Sequence, residues 1–300
     1  MRPRAALTAL AGSADCVKME AGSAGVFVMR APHAIGLLLG LTLCAGFPGT
    51  GWAEEKEPCL APLAFRQLPI QKAAITLPDP GIGQVAITFI GHSTFLIESP
   101  GRVKIATDYN DYVMPPAVPD IATMNKAHST HYSRAPDPAI KQVLRGWSEG
   151  TSPARHDLTF GDVRVRNIPT HIRDMGGGTD RDGNSIFVFE IAGVCIAHLG
   201  HLHHTLNQGQ LKQLGHIDIV LAPVDGSWTL DIDGMAEVLE TIGAKIVIPM
   251  HMFGPQTLER FLRRVGERYP IERSESPSLL VSRDTLPEKT KVVVLPGRHF

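Results

Sequence analysis

The sequence predicts a single α/β domain in which β-sheets pack face to face with helices outside. Short apolar, β-branched runs recur between Gly, Pro and Asp residues, which is the punctuation of strands. The early runs follow one another across short turns, whereas the later ones alternate with helical stretches, so sheets come first and helices cover them. Of 300 residues, 43% are hydrophobic, enough to bury a substantial core.

Taken in order, the chain opens with a leader. Met29-Arg30 precedes the apolar run "AIGLLLGLTLCAGF", and "PGTGWA" ends in a small residue before Glu54. A basic start, an apolar middle and a small residue at the cut describe a secretory signal, and the run is short for a membrane span. Residues 1–28 carry Asp15, Lys18 and Glu20 and fit no part of such a signal, so translation is expected to start at Met29, with cleavage after Ala53. The mature protein is then periplasmic or secreted, with no stable membrane partner; an uncleaved anchor is the alternative. Residues 54–84 are Pro-rich and weakly periodic, an irregular lead-in to a domain spanning 85–300.

Within that domain the strand candidates are "QVAITFI", "TFLIE", "VKIAT", "VRVRNI", "SIFVFEI", "VCIAH", "IDIVLA", "KIVIPM", "SLLVS" and "KVVVL". Residues 207–214, 234–242 and 255–267 read as helices. In the last, Leu258, Phe261, Leu262 and Val265 form a face of 3.6-residue period. After cleavage only Cys59 and Cys195 remain. An exported protein permits a disulfide between them, but Cys195 within "GVCIAH" reads as a small buried hydrophobe.

Formal net charge is −1 and no Lys/Arg run is present, which argues against nucleic acid as a partner. Of thirteen histidines, four (His198, His201, His203 and His204) fall within seven residues. Chemically active side chains stand where strands end: Asp108 after "VKIAT", Lys126, His128 and His131 after "IATM", His171 after "VRNIPT", the His198–His204 cluster after "VCIA", and His251 after "IVIP". Loops at strand ends can aim such groups into one pocket. Neutral imidazole is a common metal ligand, and a set without cysteine suits a catalytic zinc better than a structural one.

The ordered set "GHSTFLI", "TDYND", "HSTHYS", "IPTH", "GNSIFVFE", "IAHLGHLHH", "APVDG" and "IPMHMF", over about residues 85–255, resembles the metallo-β-lactamase superfamily. Within it, the branch of ascorbate-6-phosphate-lactonase-like and phospholipase-D-like hydrolases is the most similar. The resemblance implies a four-layer αββα sandwich with one or two metals at the strand ends. The family's first motif, His-x-His-x-Asp-His, falls on Lys126, His128, Thr130 and His131, so lysine stands for the first histidine and threonine for the aspartate. Its next ligands fall on His171, on His201 in place of a bridging aspartate, and on His251.

Lys126, Thr130 and His201 thus depart from the pattern. An ammonium at residue 126 would repel a nearby cation, or burial would hold it neutral. The expected site is therefore one Zn²⁺, with Mn²⁺ or Fe²⁺ as alternatives, held by imidazoles among His128, His131, His171, His201 and His251. The implied reaction is hydrolysis of an ester, lactone or phosphodiester-type small molecule by metal-activated hydroxide. Asp108 or a spare histidine takes proton transfer where Thr130 offers only a hydroxyl, and Lys126 stabilises an anion. His92, His203 and Asn184 are assigned to substrate binding, with near-core packing, solvent exposure and turn capping as their respective alternatives. His156, His216 and His299 read as surface residues. A catalytically silent relative that binds a metal or small ligand in the same cleft is the second reading. Substrate contacts are expected from three irregular loops, about residues 109–120, 134–155 and 172–184.

Overall fold

The computed structural model describes residues 76–297, apart from residue 175. The leader, most of the lead-in and Cys59 lie outside the described residues. The strands are β1 (Gln84–Gly91), β2 (Thr94–Glu98), β3 (Lys104–Ala106), β4 (Ile121–Met124), β5 (Gln142–Arg145), β6 (Asp157–Phe160), β7 (Val163–Arg173), β8 (Thr179–Ile191), β9 (Val194–His198), β10 (Ile219–Pro223), β11 (Ile246–Met250), β12 (Ile271–Arg273), β13 (Ser278–Ser282) and β14 (Lys291–Val294). The helices are α1 (Gln208–Leu214), α2 (Ile232–Ile242) and α3 (Pro255–Val265).

A six-stranded sheet runs β13-β1-β2-β3-β4-β5, and an eight-stranded sheet runs β12-β14-β11-β10-β9-β8-β7-β6. Alternation along β1 sends Val85, Ile87 and Phe89 inward, where they meet Phe187, Phe189, Ile196, Leu221 and Ile248 of the larger sheet. The opposite face of that sheet, with Val188, Ala197, Val220 and Val247, is covered by Met235, Leu239, Phe261 and Leu262 of α2 and α3. Each helix begins where the chain permits: Asn207 caps α1 in a reciprocal capping box, Asp231 caps α2, and Pro255 opens α3.

The ββ core and one helical layer match the metallo-β-lactamase sandwich. The outer face of the smaller sheet is built differently. Leu96, Ala106, Ala122 and Met124 are covered there by Tyr109, Val113, Tyr132, Ile140 and Trp147 from the connecting loops, and none of the described helices packs on it.

Besides β4, which the sequence marked only as the short run "IATM" before the histidines, the strands absent from the sequence reading are β5, β6 and β12, and these three are sheet edges. Edge strands bury one face or none (β12 is exposed throughout), so they lack the apolar runs that mark interior strands. The loop expected over 172–184 is largely the β7–β8 hairpin, paired as far as Arg173 and Thr179. Cys195 is half-buried, with its thiol pushed up first by burial and then by Asp218 and Glu190.

Candidate metal site

Strand ends of both sheets meet at one rim. His92 follows β1, Asp108 follows β3, residues 125–131 follow β4, His201 follows β9, Asp225 follows β10 and His251 follows β11. His92, Asp108 and His251 each hold a left-handed backbone, with φ of 54°, 43° and 54°. Such a conformation costs a non-glycine residue about 1–2 kcal/mol and persists only where surroundings enforce it. Here the His251 amide donates to the His92 carbonyl at 2.7 Å, tying the two sheets together at the site.

Four imidazoles, those of His92, His128, His131 and His251, each bring a ring nitrogen within 4.8 Å of the others. Two of them are backed by buried carboxylates: His131 Nδ1 lies 2.5 Å from Asp108 and His251 Nδ1 lies 3.0 Å from Asp225. A carboxylate accepts, so each Nδ1 carries the proton and each Nε2 presents a lone pair. These two Nε2 atoms face each other at 3.2 Å. Two lone pairs cannot hydrogen-bond to one another, whereas a cation between them satisfies both. The spacing also matches the edge, about 3.3 Å, of a tetrahedron with ligands at about 2.0–2.1 Å. The residues fit a metal ion.

Burial favours the neutral, ligating form of His92, His128 and His131. It lowers His92 to about 3 and His128 to about 4, helped by neighbouring rings, and takes His131 well below its ordinary value. Burial alone would raise Asp225. The bonds from His251, Thr229 and the Ser227 amide outweigh it and hold that carboxyl well below the usual carboxylate range.

His201 differs in kind. The Arg173 backbone N–H and its Nε both donate to His203 Nδ1, at 3.0 and 3.1 Å. That nitrogen accepts, so neutral His203 carries its proton on Nε2 and donates it to His201 Nδ1 at 2.5 Å. Neutral His201 then holds its proton on Nε2, directed at His128 Nε2 3.1 Å away. Burial keeps both rings neutral, lowering His203 to about 4 and His201 well below its ordinary value. His201 thus faces the site as a donor, where His131 and His251 face it as acceptors.

The other sequence candidates separate clearly. Thr130 Oγ1 lies 2.7 Å from His128 Nδ1 and 3.4 Å from His92 Nε2, so it braces two rings. Lys126 is neither buried nor aimed at the cluster; it is 47% exposed and its ammonium pairs with Asp180 at 2.6 Å. His171 stands outside the group of four. Its Nδ1 accepts from the Asp182 amide, and its ring packs on His204. Asp108 is fully buried, held by Asn125 as well as His131, which suits orienting a ring and not exchanging protons with solvent. Asn184 is buried and accepts from the His201 amide at 2.8 Å, so it positions the His201 loop.

That contact depends on Gly200, which has φ +59° and no room for a Cβ beside the side-chain amides of Asn184 and Asn125. Gly200→Ala is expected to cost about 2–4 kcal/mol through strain and a broken buried network. A denaturant melt would show this as a lower midpoint at unchanged slope.

Asp225 and Arg173 were not identified from sequence. "APVDG" placed an aspartate after a strand, which is the available signal for Asp225. Nothing local marks Arg173, whose partner His203 lies 30 residues on.

Two packed sheets with imidazoles gathered at their strand ends define a metallo-β-lactamase-type metal site. The beta-lactamase superfamily domain matches residues 86–251, from the first strand to the last histidine of the cluster, and the chain belongs to that superfamily. A metal-dependent hydrolase of the UPF0173 group from Methanoregula boonei is 25% identical over 210 residues, covering 65% of this chain and 93% of its own. A second, from Archaeoglobus fulgidus, is 26% identical over 194 residues, covering 55% of this chain and 82% of its own. Among solved structures, a proposed Zn-dependent hydrolase of the metallo-β-lactamase superfamily from Thermotoga maritima is 27% identical with a TM-score of 0.53, covering 71% of this chain and all of its own.

Proposed function

We propose that this metal-dependent hydrolase of the metallo-β-lactamase superfamily cleaves an ester, lactone or phosphodiester-type bond outside the cytosol, with one Zn²⁺ as its cofactor. The observation that carries the reading is the pair of carboxylate-backed Nε2 atoms facing each other at 3.2 Å. His131, His251 and His92 would hold the ion, joined by His128 once the His201 Nε2 proton turns from it to a substrate oxygen, in place of the set that included His171 and His201. A cation there supplies Lewis acidity and a water of lowered pKa.

The chain's own residues then divide the work. Asp108 and Asp225 fix ring orientation, and Thr130 steadies His128 and His92. His201 holds a proton at Nε2 on the pocket side, where it can hydrogen-bond a substrate oxygen, and the His203 Nε2–H bond to its Nδ1 keeps it in that tautomer.

The silent-relative reading keeps one observation in its favour: among the described residues no carboxylate lines the cavity beside the cluster, and Thr130 stands where the family motif has aspartate. Untagged protein loaded with Zn²⁺, Mn²⁺ or Fe²⁺ and assayed on lactones, phosphodiesters and β-lactams separates the two. Metal-dependent turnover of at least one class is expected. Silence across the panel with the metal tightly bound would leave a binding protein.

A further inference from the structure

Beside the histidines opens a cavity of about 440 Å³, lined by Ala127, His128, Arg173, His201, Trp228 and Phe253 among others. This is the size range of sites for small organic ligands. Trp228 and Phe253 are large and apolar, yet they stand 59% and 55% exposed. A single exposed aromatic is unremarkable, but two over one cavity next to candidate metal ligands are not. Phe253 reaches the site itself, its ring edge-on to His251 at 5.2 Å.

The backbone under Trp228 is fixed from both sides. Asp225 accepts from the amides of Ser227, Trp228 and Thr229, and Arg173 Nη2 donates to the carbonyls of the same three residues. A surface tryptophan on so constrained a turn is a preorganised platform for a flat apolar group.

The same bonds say what the pocket does not favour. Arg173 has Nε committed to His203 and Nη2 to the turn, and the nearby Lys126 ammonium is paired with Asp180. Among the described lining residues Arg173 is the cation, and with Nε and Nη2 both bonded it has no free two-nitrogen fork to offer a phosphate that gives up its water. We infer that the substrate is an uncharged ester or lactone carrying an aromatic or similarly flat apolar group, seated between Trp228 and Phe253, rather than a phosphorylated compound. This rests on the hydrolase reading for the bond cleaved, and on the pocket alone for the group recognised.

The test uses the metal-loaded full chain in two arms. In the first, methyl phenylacetate, methyl acetate and methyl phenyl phosphate are compared as substrates. The phenylacetate is expected to exceed the acetate at least about tenfold in kcat/KM, the phosphodiester to be poorest, and Trp228→Ala or Phe253→Ala to cut the phenylacetate-to-acetate ratio about tenfold. In the second, calorimetry with phenylacetamide and phenyl phosphate reads binding alone. The amide is expected to bind in a Trp228-dependent way and the phosphate not to.

Lactone or ester turnover with no aryl preference would overturn the inference and leave the hydrolase standing. So would tighter binding of phenyl phosphate that Arg173→Ala abolishes. Trp228-dependent amide binding with no turnover of any substrate would instead sink the hydrolase reading and uphold the pocket's selectivity.

Discussion

Removing the His251 ring is expected to abolish metal binding and lower hydrolysis by about three orders of magnitude or more, beyond the 10–100-fold typical of losing an outer-shell partner. His251 is the ring that both sheets agree on. Its amide is bonded to the His92 carbonyl at the end of β1, its Nδ1 to Asp225 at the end of β10, and its Nε2 faces His131 from the β4 loop. Without it, one of the two carboxylate-oriented lone pairs is gone, and apart from His131 the remaining nitrogens belong to rings braced by hydroxyls. The fold should survive, because the apolar packing of β11 rests on Ile246, Ile248 and Met250 on one face and Val247 on the other. Alanine at φ 54° carries its own strain, so His251→Asn, which tolerates the left-handed region, is the companion variant. Elemental analysis of untagged protein is the readout, with circular dichroism as the check on folding. A folded variant that keeps a full equivalent of metal would rule out His251 as a ligand.

How far the sequence could be read follows from what local pattern encodes. Interior strands and helices announce themselves, because burial on fixed faces imposes a period on residues such as Val85, Ile87 and Phe89. Edge strands do not, since β5, β6 and β12 bury little and are set by their neighbours. Strand-end histidines were also visible, and His128, His131 and His251 do lie together. What sequence could not rank was direction. The sequence pattern sets His171 and His92 alike after apolar runs, yet His171 lies within β7 and turns to Asp182 and His204, while His92 follows β1 and a left-handed backbone helps bring its ring to the cluster. His201 lies against the cluster, but its polarity is set by Arg173 through His203, a chain of bonds that no spacing rule contains. Lys126 was read as a charge problem for the metal because its partner Asp180 sits 54 positions away on the β8 strand.

Asp225→Ala should be the most destabilising single change at the site. The carboxylate is fully buried and accepts from three consecutive amides, two hydroxyls and His251. Truncation strands several of those donors without water, a cost of about 3–5 kcal/mol, or roughly 10 °C in Tm for a chain of this size. Metal affinity should fall about 10–100-fold with it, because His251 loses the group that fixes its tautomer. Asp225→Asn separates the two effects. Its carbonyl still accepts from part of the turn, so less stability is lost, while the charge that orders His251 is removed. The pH dependence has a definite sign. The folded-state pKa is depressed, so the carboxylate's stabilisation is complete above the unfolded range, about 4, and is lost as pH falls below it. The gap in stability between wild type and Asp225→Asn, measured by chemical denaturation in metal-free buffer, should therefore be constant from pH 8 to about 5 and shrink towards pH 3. A gap that persists unchanged in acid would mean that Asp225 acts by shape, and that its charge contributes nothing to holding the turn or the ring.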